Sequence, residues 1–107
     1  MYAHEKKALD AITKSLREQF PERVRGVYVF GSRARGDHGE WSDFDVLIVV
    51  KERDPSIEEA IISCFVEEEL RSGLIFTPII KDEKAFESEK RFNTPFYENL
   101  TKEGITL

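Results

Sequence analysis

The sequence predicts an α+β fold, a small mixed or antiparallel sheet with helices packed on it, as a single domain over residues 1–107. Three observations lead there. A helical period runs through the first twenty residues. Two β-branched and aromatic runs then flank a small polar loop, "VYVFGSRARGDHGEWSDFDVLIVV". The second of these runs is apolar on both faces beyond its first residues, so it must lie inside the sheet and be covered on both sides.

Each element has its own signal. In residues 3–20, Ala8, Leu9, Ile12, Leu16 and Phe20 recur at spacings of three and four, and Pro21 ends the helix. "VRGVYVF" reads as the first strand, closed by Gly31. In "DFDVLIVV", Phe44, Val46, Ile48 and Val50 share one face, while Leu47 and Val49 share the other with Asp45. Ser56 as N-cap with Glu59 as its capping-box partner predicts a second helix through about Arg71, ended by Gly73. "GLIFTPII" reads as a third strand, and Pro78, which cannot donate to a ladder, favours an edge position or a local break. After a charged stretch, Thr94 and Pro95 start a last short helix that Gly104 ends before "ITL".

A chain of 107 residues and 12.4 kDa can bury one modest core. With no apolar run near the roughly 18 to 20 residues that span a bilayer, and no secretory h-region at the start, a cytoplasmic protein without membrane contact is expected. A net charge of -5 argues against direct nucleic-acid binding, which rests on clustered Lys and Arg. Cys64, the one cysteine, sits among Ile61, Ile62, Phe65 and Val66 and reads as a buried, inert thiol.

The chemistry concentrates between the first two strands. Asp43 and Asp45 lie two positions apart, so their side chains point the same way with Cα atoms about 6.5 to 7 Å apart, a spacing at which two carboxylates can converge on one or two divalent ions. Directly after the first strand come Gly31 and Ser32, then Arg33, Arg35 and Gly36. Glycine with free amides at a strand end can cradle phosphate, and arginine gives charge-assisted bonds to phosphate oxygens. Gly31 and Asp43 meet only if the two strands are antiparallel neighbours. A Walker loop is excluded because Gly36 is followed by Asp37, and the dinucleotide fingerprint is absent. His38 reads as a solvated loop residue and Trp41 as packing beneath the loop.

Gly31-Ser32, Ala34-Arg35-Gly36 and Ser42-Asp43-Phe44-Asp45 together resemble the G-S-x-A-R-G-x(n)-S-D-x-D signature of minimal nucleotidyltransferases, small members of the DNA polymerase beta superfamily. The resemblance implies their palm-like fold, a nucleotide triphosphate as donor, ATP first, with Gly31, Ser32, Arg35 and Ser42 on the nucleotide, and Asp43 and Asp45 as the catalytic ligands of Mg²⁺, two ions being possible. It also implies transfer of a nucleotidyl group to a hydroxyl of a partner protein, a small helical HEPN-type ribonuclease toxin for which this chain would be the antitoxin. One departure stands out. Transferring members carry a third carboxylate on the next strand, and the register of "IFTPII" puts Thr77 in its place. Asp82 or Glu40 could substitute. If neither does, the chain is a catalytically impaired module that binds nucleotide or neutralises its partner by contact.

Overall fold

The strand Phe44–Val50 is enclosed on all sides because nearly every residue in it is apolar. In the computed structural model, which describes residues 2–30 and 44–107, it is flanked on both edges and covered on both faces. The described elements run α1 (Ala3–Gln19), β1 (Val24–Phe30), β2 (Phe44–Val50), α2 (Pro55–Ser72), β3 (Phe76–Asp82), α3 (Glu83–Arg91), α4 (Pro95–Glu103) and β4 (Ile105–Thr106). They build a mixed four-stranded sheet in the order β3-β2-β1-β4. β1 is antiparallel to both β2 and β4, while β2 and β3 are parallel, with α2 supplying the crossover that a parallel pair requires.

The alternation along β2 divides the core in two. Phe44, Val46, Ile48 and Val50 pack with Val27 and Val29 against Leu9, Ile12 and Leu16 of α1 and Ile57, Ile61 and Phe65 of α2. Leu47 and Val49 face the other way, against Leu100, Phe86 and Phe96 from α3 and α4. Stacked rings of Phe44 and Phe76, 5.8 Å apart, hold β2 and β3 together on the first face. The expected edge position of Pro78 is borne out: β3 pairs with β2 alone among the described strands. Cys64 is buried, with its Sγ accepting from Gln19 Nε2 at 3.3 Å.

Three local expectations need correction. The N-cap of α2 is Asp54, not Ser56: Pro55 occupies the first turn, where a missing N–H costs nothing, and Asp54 accepts from the Ile57 N–H at 2.8 Å. Gly73 does end the helix, in the left-handed conformation at φ 77°. The charged stretch after β3 is itself a helix, α3, capped by Asp82 through the Ala85 N–H at 2.7 Å. Finally, "ITL" is not a tail, since Ile105 and Thr106 pair with Val29 and Tyr28 as an edge strand.

Ile61 joins α2 to the sheet and is fully buried. Ile61→Ala should therefore lower the unfolding free energy by about 2 to 5 kcal/mol, measured by urea denaturation. A loss under about 1 kcal/mol would mean that α2 does not anchor the core as described.

The Ile57 N–H, and then the Arg23 guanidinium, hold the Asp54 carboxyl below its ordinary value of 3.8. A group whose folded pKa is depressed stabilises the fold above its unfolded value and loses that contribution as pH falls through the folded one. Denaturation midpoints followed from about pH 5 to about pH 2 should thus fall less steeply for Asp54→Ala than for the parent.

Candidate active site

The antiparallel register of β1 and β2 brings the end of one strand to the start of the other: Phe30 lies opposite Asp45. β3 continues the row, because its parallel register sets Thr77 opposite Asp45 on the far side. Neighbouring strands lie about 4.8 Å apart, so the Phe30, Asp45 and Thr77 backbones span about 10 Å across the end of the sheet. Tyr28, Leu47 and Ile79 form the next row on the same face, and Gly26, Val49 and Lys81 the one after.

Among the described residues, α3 and α4 pack on this face. Phe86 stacks on Tyr28 with ring centroids 5.8 Å apart, and Phe96 meets Phe30 edge-on at 5.5 Å. Phe96 also lies 4.9 Å beneath Lys81 Nζ, and that ammonium pairs with Glu89 at 3.5 Å. The side chain of Thr94, the N-cap of α4, bonds to the same glutamate, which fastens α3 and α4 together over the inner rows. In the outer row Phe30 and Asp45 are half-buried and Thr77 is exposed. Among the described residues the row thus carries an aromatic ring at one end and a hydroxyl at the other.

Two sequence expectations about this region hold. The strands that flank the glycine-serine segment are antiparallel neighbours, and the register of the third strand sets Thr77 beside Asp45. Gly31, Ser32, Arg33, Ala34, Arg35, Gly36, His38, Glu40, Trp41, Ser42 and Asp43 lie outside the described residues.

Asp82 is removed as a substitute for the third acid. It is the last residue of β3, opposite Val50, five positions from Thr77 and so about 16 to 17 Å along the strand. Its carboxylate is committed to capping α3. Phe30 and Phe96 escaped the sequence reading as parts of the site; the alternation that puts Phe30 on the face of Asp45 was the available signal. His4 stacks on Tyr2 at the start of α1, away from the row.

Comparison with known proteins gives the same answer as the topology. The family model of the nucleotidyltransferase domain matches residues 9–104. A candidate protein adenylyltransferase of Methanocaldococcus jannaschii is 33% identical over 104 residues, covering 97% of this chain and 98% of its own. A second such protein of that organism is 34% identical over 88 residues, covering 80% and 81%. A candidate nucleotidyltransferase from Sulfolobus solfataricus, solved as a crystal structure, is 27% identical with a TM-score of 0.44, covering 86% of this chain and 81% of that one. With a model of the domain spanning nearly its whole length and two relatives above 30% identity, the chain belongs to the nucleotidyltransferase domain family.

Proposed function

We propose that this chain transfers AMP from ATP to a hydroxyl of a partner protein, and that the partner is a small helical HEPN-type toxin which the chain serves as antitoxin. Asp43 and Asp45 are the Mg²⁺ ligands in this reading, and Gly31, Ser32, Arg35 and Ser42 hold the nucleotide. The observation that supports it is the pairing of Phe30 with Asp45, because the residue that precedes Gly31 in sequence lies beside that carboxylate's position. The names of the Methanocaldococcus relatives, candidate protein adenylyltransferases, support AMP as the group and a protein as the acceptor.

The donor set suits the ion. Carboxylate oxygens are the hard ligands that Mg²⁺ takes, and two of them leave most of its octahedron to water and phosphate. In this reading the companion of Asp45 is Asp43, two positions before it in the sequence. When bound, Mg²⁺ supplies positive charge to the phosphate oxygens. The protein's own part is positioning: half-burial of Asp45 weakens solvent screening of its charge, and Phe30 is held in place by the edge-on ring of Phe96.

Thr77 favours a second reading. Its hydroxyl is neither an anionic ligand nor a general base at neutral pH, and Asp82 lies too far away to replace it. On that reading the chain binds nucleotide and inhibits its partner by contact, with transfer slow or absent.

Asp45→Asn should weaken Mg²⁺-ATP binding, followed by calorimetry, by about 10-fold or more, since a hydrogen bond to a charged group contributes about 1.5 to 3 kcal/mol. Asp82→Asn should bind as the parent does. Equal affinity for Asp45→Asn and the parent would dismiss the assignment of the site.

With labelled ATP and the product of a neighbouring gene encoding a helical protein, the parent should label its partner slowly. Thr77→Asp should raise the rate by up to about 10² to 10⁴-fold, the usual worth of a positioned general base. A fast parent that the substitution slows would show that another acid, Glu40 foremost, already serves. Binding without labelling by either form would establish inhibition by contact.

A further inference from the structure

The outer side of α2 carries a feature that the row of Phe30, Asp45 and Thr77 does not use. Ile62, Val66 and Leu70 recur every four residues and so form one stripe along the helix, about 12 Å long. They are 48%, 47% and 83% exposed, although α2 is already anchored by Ile57, Ile61 and Phe65 on its opposite side. The stripe thus adds nothing to the core.

Its borders are acidic. Glu59 and Glu67 are exposed and form no ion pair among the described residues. Glu69 is half-buried and uses one carboxylate oxygen to accept from the Phe76 N–H at 2.9 Å. The nearby cations are spoken for: Arg71 pairs with Glu68, and Arg53 with Glu58. An antiparallel second copy would set acid against acid across this stripe, and an anionic lipid surface would be repelled by it. A cationic rim would be attracted.

We propose that Ile62, Val66 and Leu70 form a docking surface for an amphipathic helix of another protein, whose apolar seam is bordered by lysine or arginine. The surface is independent of nucleotidyl transfer. α2 covers the face of Phe44 and Val46, whereas Asp45 and Thr77 point to the opposite face.

Two synthetic helical peptides of about 20 residues, sharing one leucine seam but bordered by lysine in one and glutamate in the other, provide the probes. Amide resonances of the full chain report where each binds. The lysine-bordered peptide should shift the signals of residues 62–70, with an affinity that falls as salt rises from about 0.05 M to about 0.5 M. Val66→Ser and Leu70→Ser should each weaken it about 10-fold while leaving the melting temperature and Mg²⁺-ATP binding unchanged. Equal binding of the two peptides, binding of neither, or indifference to both substitutions would overturn the proposal. Dimerisation of the chain in sedimentation experiments, abolished by Val66→Ser, would assign the stripe to a second copy and overturn it too.

Discussion

A slip of β2 by one residue against β1 would exchange its two faces, turning Phe44, Val46, Ile48 and Val50 away from α1 and α2 and Asp45 into the core. Both faces are apolar, but they are not equivalent. The first meets long side chains from two helices; the second meets the aromatic residues of α3 and α4. Burying the Asp45 carboxylate among Leu9, Ile12 and Phe65 would cost far more than a repacking of methyl groups. The register is therefore fixed by a charge that must stay out as much as by side chains that must go in. The site follows, because that register sets Phe30 beside Asp45.

The parallel strand extends the same constraint. Phe76 stacks on Phe44 on the helix-covered face, so the residues that follow each ring, Thr77 and Asp45, must be neighbours on the other. Core packing on one side thus sets which residues meet on the other. It also sends Asp82 to the far end of the sheet, where its carboxylate satisfies the first turn of α3. An acid that seems close to Thr77 in sequence is remote from it in space because a strand advances by about 3.3 Å per residue.

The parts legible in the sequence are those where one pattern had one meaning. β1, β2 and α1 carry strong periodicities, and Pro78 and Gly73 each restrict the backbone in only one way. The position of Thr77 was readable for the same reason: alternation along "IFTPII" leaves few ways to lay it beside "DFDVLIVV". α3 was missed because it buries no residue fully and reaches the sheet through Phe86, and one apolar residue defines no period. β4 is two residues long and takes its identity from pairing with β1, a long-range contact that no local propensity reports. The N-cap of α2 was misplaced because Asp54 and Ser56 are both good caps, and the choice turned on the favourable fit of Pro55 in the first turn. For the site, motif spacing singled out Asp45, but the contribution of Phe30 and Phe96 arises only once three strands and α4 are assembled.

The sheet also separates two tasks that would interfere on a single surface. On the face of Asp45 and Thr77, the first is half-buried and the second exposed, and such polar groups suit a charged ligand in water. The opposite face is closed by α1 and α2, so any large contact on that side must use the outside of a helix. There the exposed stripe of α2 is apolar, rigid and framed by carboxylates, which suits a partner helix rather than a nucleotide. A substitution on that stripe is two layers removed from Asp45, with the helix and the sheet between them, and nothing in the packing obliges one to move with the other. A partner docked on that stripe, as proposed above, would leave the carboxylate and Thr77 undisturbed.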